Sequence, residues 1–408
     1  MDKQFHISNR RAVYESMEDN SILSLYSGSA KIKTADEFYP HFTDRDSLYL
    51  TGITGEGLYL VAQKSGGKVT EKLYLTPPDL MIERWTGKRI TAAEAESASG
   101  IGDIEYVASF DDDMRKLIGS NNYKCLYLDF AKDKPVADVY KAFTDGSIEV
   151  KSINRAIRMR RTIKQPCEIA AMRAAEDITK DGILAMMNKS KAGMKEYQYK
   201  AEFDYALLQK GVLSPAFPSI ISAGANNFCI HYYAYTGTAH DGDMVLNDVG
   251  ASWDNECVDV SRGWPCNGRF TEKQRLLYEC ALDTSNHMFE IIKPGMIMRE
   301  VDAKIRRYNG ERLIDIGLCK SHDDVGKYMW HGGAHHIGYD VHDEVDPDII
   351  NRPIEKNMVF CVDVGIYVEE WGVGFRLEDN CLITADGCLN LSAAIPRTIA
   401  DIESEIKR

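Results

Sequence analysis

Met244-Val245-Leu246-Asn247-Asp248-Val249-Gly250 and Met358-Val359-Phe360-Cys361-Val362-Asp363-Val364-Gly365-Ile366-Tyr367 decide the fold. Each is an apolar, β-branched run with an acid inside it, and each reads as a strand. Residues 252–255 give a turn signal after the first run, and Cys257-Val258-Asp259-Val260 resumes strand character. The pattern predicts a hairpin with one acid on each strand, Asp248 and Asp259, 11 positions apart. After the second run, residues 369–372 can turn, and residues 373–382 return with Arg376 and Glu378. The second hairpin repeats the acid pattern of the first.

An unpaired carboxylate in a buried strand costs several kcal/mol or takes up a proton. One such acid could face solvent or pair with an arginine. Four in a repeated pattern call for a compensating positive charge, and four carboxylates balance two divalent ions. A fifth ligand is expected from His331-Gly332-Gly333-Ala334-His335-His336-Ile337-Gly338-Tyr339-Asp340-Val341-His342, between the hairpins. His331 and His335 are four apart, which suits a helix, but Gly332, Gly333 and Gly338 oppose one. An extended segment that points imidazoles at a cleft fits better. One nitrogen and four carboxylates form a hard, oxygen-rich set. Mn(II) is the expected ion, with Co(II), Fe(II) and Zn(II) as alternatives. Two such ions, ~3.5–4 Å apart, can activate a shared water and polarise a carbonyl.

The pattern spreads outward from the hairpins. Lys191-Ala192-Gly193-Met194 and Lys293-Pro294-Gly295-Met296 echo each other, each between two expected helices. Thr271 and Gln274 have capping-box spacing at the start of the helix that ends near Pro294. Pro166 can open a helix, and Ile169, Met172, Ile178, Ile183 and Met186 recur near helical spacing, so 166–188 reads as a long amphipathic helix. A domain boundary is expected near 155–165, taken at 158/159. Before it, short apolar runs at 47–50, 57–62, 72–75, 104–107 and 125–130 suggest strands of a small mixed α/β domain. That domain has no phosphate loop and is expected to serve structure or oligomerisation rather than catalysis.

Bulk composition narrows the function. The chain has 408 residues, 44% apolar and 27% charged, within the range of globular proteins. Its net charge of −13 argues against nucleic acid as a partner. MDKQFHISNRR lacks the apolar stretch of a signal peptide, and no apolar run approaches membrane-helix length, so a cytoplasmic protein with no membrane association is expected. None of the ten cysteines forms a C-x-x-C pair. Several, such as Cys229 and Cys361, sit in apolar runs and read as small buried hydrophobes in a reducing compartment.

These motifs resemble those of the pita-bread-fold metallopeptidases, specifically the aminopeptidase P and prolidase branch. The matching residues are Asp248 in Asp248-Val249-Gly250, Asp259 before Ser261-Arg262, His335 in its glycine-rich run, and Glu378 in Gly374-Phe375-Arg376-Leu377-Glu378-Asp379. Phe42-Thr43-Asp44-Arg45-Asp46-Ser47-Leu48-Tyr49-Leu50-Thr51-Gly52 and Glu83-Arg84-Trp85-Thr86-Gly87-Lys88-Arg89 look like this branch's N-terminal domain. The resemblance implies an α/β (α+β) chain: residues 1–158 a creatinase-like N-terminal domain, 159–408 a pseudo-symmetric pita-bread catalytic domain. It implies a metal-dependent exopeptidase that cleaves an N-terminal residue from a following proline in short peptides. A prolidase restricted to dipeptides, or a catalytically impaired binding homologue, stands as an alternative.

By the same resemblance, Asp248, Asp259, His335, Asp363 and Glu378 hold two divalent ions, with Asp259 and Glu378 bridging. His231 and His342 resemble active-site histidines that stabilise the carbonyl, relay protons or contact the proline. Arg376 alternates with Glu378 on one strand face and can orient a carboxylate ligand. His331 belongs to the site wall. A homodimer or homotetramer is expected. One departure stands out: the family's E-P-G-x-Y strand is here Asp363-Val364-Gly365-Ile366-Tyr367, so the presumed general base is one methylene shorter.

Overall fold

A computed structural model describes residues 1–132, 134–343 and 351–406. The chain divides into two compact units, Met1–Arg160 and Arg161–Arg408. The first carries α1 (Lys3–Glu15), β1 (Ser21–Tyr26), β2 (Ile32–Thr34), β3 (Glu37–Phe38), α2 (Arg45–Thr51), β4 (Tyr59–Ser65) and β5 (Lys68–Leu75). It continues with α3 (Leu80–Thr86), α4 (Ala92–Ser99), β6 (Ile104–Tyr106), α5 (Phe110–Gly119), β7 (Cys125–Leu128) and β8 (Glu149–Ser152). Six strands form one mixed sheet in the order β6-β5-β4-β1-β7-β8. Ile22, Val61 and Leu126 from the strands pack against Phe110 and Met114 of α5.

Four of the five expected N-terminal strands are strands, but residues 47–50 lie in α2. A four-residue apolar run does not distinguish helix from strand. Its flanks settle the matter: Asp44 caps the start through the Ser47 N–H at 3.0 Å, and Gly52 ends it with φ of 70°.

The second unit follows α6 (Asn154–Thr162), which runs across the division. It opens with α7 (Pro166–Lys189), where Pro166 starts the helix and the Gln165 N–H donates to Glu168 at 2.8 Å. Next come α8 (Glu196–Gln209), β9 (Ile220–Ala223), β10 (Met244–Val249), β11 (Ser252–Trp253), β12 (Glu256–Cys257) and β13 (Val260–Pro265). Then follow α9 (Glu272–Ile291), α10 (Met298–Asp315), β14 (Val359–Val368), β15 (Val373–Ile383), β16 (Cys388–Asn390) and a last helix, Ile399–Ile406. An antiparallel sheet runs β14-β15-β13-β10-β9, with β16 paired to β15.

The sequence echo is a structural repeat. Gly193 and Gly295 take positive φ, 86° and 92°, in the turns α7–α8 and α9–α10. Two residues on, Lys195 bridges to Thr238 and Ile297 to Pro353. Each half then enters its hairpin, β10 to β13 or β14 to β15. The first hairpin is less simple than expected. β11 and β12 form a small ribbon at its tip, and Asp259 lies just before β13 rather than inside a strand.

Strand alternation sorts β14 into two faces. Phe360, Val362, Val364, Ile366 and Val368 join the core with Leu277, Tyr278, Ala281 and Met288 of α9 and Val301 and Ile305 of α10. Full burial of such side chains contributes roughly 1.5–3 kcal/mol each. Cys361, Asp363 and Tyr367 are left for the other face.

Candidate metal centre

A single row of register partners crosses four strands. Asp363 of β14 faces Glu378 of β15, Glu378 faces Ser261 of β13, and Ser261 faces Asp248 of β10. Cross-strand partners share a face, so the two hairpins bring three acids onto one surface. Asp259 precedes Ser261 by two residues, and Arg376 precedes Glu378 by two, so both can join that surface.

The histidines come along the outer edge of β14. The Asp363 N–H donates to the Gly333 carbonyl at 2.9 Å, and the Cys361 N–H to the His335 carbonyl at 2.8 Å. The glycine-rich segment is therefore extended, as expected, and His331 and His335 reach the same side. His335 Nε2 lies 3.2 Å from Glu378 Oε1 and 3.8 Å from Asp259 Oδ2. His331 Nδ1 lies 3.1 Å from Asp363 Oδ2, and its Nε2 lies 3.0 Å from the Tyr367 hydroxyl. His336 turns the other way and is buried beside Phe360.

Arg376 ties the wall together. Its Nη2 donates to Asp248 Oδ2 at 2.7 Å, and its Nη1 to the Tyr367 hydroxyl at 2.9 Å and the Ile230 carbonyl at 3.2 Å. Trp330 stacks on Tyr367 with centroids 4.5 Å apart. The His342 ring meets His335 edge-on at 4.5 Å, and His342 also feels His231 electrostatically. His231 is exposed and stacks with Tyr233. The second unit thus brings Asp248, Asp259, His331, His335, His342, Asp363, Arg376 and Glu378 together, with His231 linked to them through its electrostatic effect on His342.

The electrostatics show an excess of buried negative charge. Burial, then Glu378 and Asp248, push the Asp259 carboxyl well above the usual carboxylate range. Burial and Asp363 raise Glu378. Burial alone would also raise Asp248, but the Arg376 guanidinium outweighs it and holds Asp248 low. Burial disfavours charged His331, yet Asp363 overrides it and pushes His331 up to about 9. His335 is likewise raised, by Glu378 against burial. His342 is lowered by burial and by His335.

The donor set fits divalent metal. Asp248 Oδ1, Asp259 Oδ1 and Asp363 Oδ1 are buried oxygens without a hydrogen-bond partner in the protein. A buried carboxylate oxygen left so is costly, and cations are the compensation that three of them in one cleft imply. Asp259, His335, Glu378 and also Cys361 offer donor atoms within 4.8 Å of one another. A buried, carboxylate-rich donor set with one imidazole, at the seam of a repeated fold, defines a metal-dependent hydrolase.

The comparisons carry this to a family. Residues 170–385 match Metallopeptidase family M24, and residues 6–127 match the aminopeptidase P N-terminal domain. The chain belongs to metallopeptidase family M24, with a pita-bread catalytic unit and an aminopeptidase P-type N-terminal domain, and it binds divalent metal. It is 28% identical to a Xaa-Pro aminopeptidase of Haemophilus influenzae, over 99% of this chain and 97% of that one. It is 29% identical to Xaa-Pro aminopeptidase 3 of Rattus norvegicus, over 91% of this chain and 78% of that one. Aminopeptidase P from E. coli with the inhibitor Pro-Leu superimposes with TM-score 0.92 at 27% identity, over 100% and 98% of the two chains.

Three site neighbours escaped the sequence reading. Ser261 donates to Glu378 Oε2 at 3.0 Å, and its register with two acids was the signal. Trp330 precedes His331 directly but carries no pattern of its own. Cys361, read as a small hydrophobe, is buried but shares the Asp363 face, as its two-residue spacing shows. Cys229 is exposed rather than buried, because it follows the short helical turn Gly224–Phe228 at the surface.

Proposed function

We propose that the chain is a Xaa-Pro aminopeptidase that holds two divalent ions, Mn(II) in the first instance, and releases the N-terminal residue ahead of proline from short peptides. The observation that carries this is the row Asp363, Glu378, Ser261, Asp248, with orphaned oxygens facing one cleft. Similarity over nearly the whole of the Haemophilus influenzae enzyme supports the substrate class.

Asp248, Asp259, His335, Asp363 and Glu378 would hold the metal. When bound, divalent ions supply Lewis acidity toward a carbonyl and acidify water. Asp363, whose Oδ2 lies 3.1 Å from His331 Nδ1, accepts a proton from the attacking water and passes it toward the proline nitrogen. Arg376 fixes the Asp248 carboxylate and the Tyr367 hydroxyl, so that neither has to reorganise. His231 and His342, on the open side of the cleft, bind the substrate carbonyl and the proline residue.

A homodimer or homotetramer is the assembly assigned. Phe42, Leu80, Met81 and Trp85 support it, being apolar yet exposed on the first unit. A monomer in sedimentation equilibrium would remove it. Cysteines buried in apolar surroundings, such as Cys125, Cys361 and Cys381, support a cytoplasmic setting. Among the described residues no helix is long and apolar enough to cross a membrane.

The deciding experiment compares a Xaa-Pro dipeptide with a Xaa-Pro-Pro tripeptide, with Mn(II) and with chelator. Faster, chelator-sensitive cleavage of the tripeptide is expected. Preference for the dipeptide would make the chain a prolidase, and no cleavage of either would leave only a binding homologue.

A further inference from the structure

The metal centre has a neighbour of a different chemical kind. Cys361 stands two residues before Asp363 on β14, so both side chains face the same way. Its sulfur and the donor atoms of Asp259, His335 and Glu378 all lie within 4.8 Å of one another. Cys361 has no exposed surface. The sulfur lies 3.6 Å from Asn380 Oδ1, to which the thiol donates. A buried cysteine is commonly a small hydrophobe. Cys361 does join an apolar cluster with Val359 and Leu382, but three metal donors also lie within 4.8 Å of its sulfur. Donors of a four-coordinate ion, at bond lengths of ~2.0–2.3 Å, stand roughly 3.5 Å apart. The observed cluster needs only a modest contraction to reach that spacing.

We propose that Cys361 is a sulfur donor to the metal centre, and that it raises this site's affinity for thiophilic divalent ions relative to Mn(II). Four carboxylates and one imidazole form a hard set, and a thiolate shifts the order toward Zn(II), Co(II) and Cd(II). Coordination exchanges the S–H bond for a sulfur–metal bond, and the proton leaves to buffer. This inference rests on the reading of the site as a metal centre.

The test loads the chelator-treated, full-length protein with Co(II) and records its absorption spectrum. Visible ligand-field bands report bound cobalt, and a near-ultraviolet charge-transfer band reports cobalt–sulfur bonding. Wild type is expected to show both. Cys361→Ser and Cys361→Ala are expected to keep the visible bands and lose the charge-transfer band. Their Cd(II)-to-Mn(II) affinity ratio should fall by about tenfold. Stoichiometric cobalt without the charge-transfer band, or a band that survives both substitutions, overturns the sulfur donor and leaves the metal centre standing. Failure of wild type to bind cobalt at all overturns both. Should the variants not fold, X-ray absorption on the wild-type zinc form decides: a sulfur shell at ~2.3 Å is expected, and a shell of nitrogen and oxygen alone refutes the idea.

Discussion

Replacing Glu176 with glutamine is expected to stabilise the protein at pH 8 and to leave it nearly unchanged at pH 5. Glu176 lies on α7 and is buried. Its Oε1 accepts from Asn380 Nδ2 and from Ser392 Oγ, both at 2.8 Å, and its Oε2 has no partner. Burial, reinforced by Asp379 and only partly offset by the two hydrogen bonds, pushes the carboxyl up to about 8 from 4.5. The folded protein therefore keeps a proton that the unfolded chain gives up. Below pH 4.5 both states hold it, and the stability is complete. Between pH 4.5 and about 8 the unfolded state alone releases it, so folding stability falls as pH rises, by ~1.4 kcal/mol per pH unit. By pH 7 the loss is roughly 3 kcal/mol, and above pH 8 it levels off. Glutamine offers the same acceptor oxygen and has no proton to lose. Urea unfolding of both proteins at pH 5 and pH 8 isolates the effect, because other titrating groups cancel in the difference. A difference that does not change with pH, or a variant less stable at pH 8, would refute the reasoning. The effect reaches the site through Asn380. Its Nδ2 also donates to the Asp259 carbonyl at 2.8 Å, and its Oδ1 accepts the Asp259 N–H at 3.4 Å.

Asp363→Asn keeps size and removes the proton acceptor, so kcat should fall by ~10²-fold or more with little change in KM in a steady-state peptide assay. An equal loss in KM would move Asp363 to substrate binding. Arg376→Lys retains the charge but cannot hold Asp248, Tyr367 and the Ile230 carbonyl together. Metal affinity should weaken by about 10–100-fold in a chelator competition, with the circular dichroism unchanged.

The sheet of the second unit was legible because its acids interrupt apolar runs, and four such acids together call for more positive charge than Arg376 alone supplies. The extended histidine segment was legible because glycines at 332 and 333 exclude the helix that the spacing of His331 and His335 suggests. What escaped depends on information that a single strand does not carry. Residues 47–50 are helical because of Asp44 and Gly52 at their flanks, not because of their own side chains. Asp259 falls outside β13 because a ribbon is inserted at the hairpin tip, which no alternation pattern announces. Cys361 is buried among apolar side chains, as its run suggests. What the run alone does not bring out is its parity with Asp363, which turns it toward the acids.

The repeat also explains why the two groups of histidines should do different work. Each hairpin has an outer edge: on one side β9 pairs with β10, with Ile220 opposite Asp248. On the other, the glycine-rich segment pairs with β14, through Gly333 and Asp363. Both edge segments deliver histidines to the cleft. His335 is delivered from within its paired stretch, so its ring is held against Glu378 at 3.2 Å and cannot avoid the buried acids. His231 comes eight residues after β9 ends, on chain that has left the sheet, and its ring is exposed. A group fixed by backbone pairing beside uncompensated carboxylates suits metal ligation, where position must not vary. A group on an open segment suits an arriving peptide, which brings its own variation in shape. The duplication thus supplies equivalent edges, and the length of chain beyond each edge assigns the role.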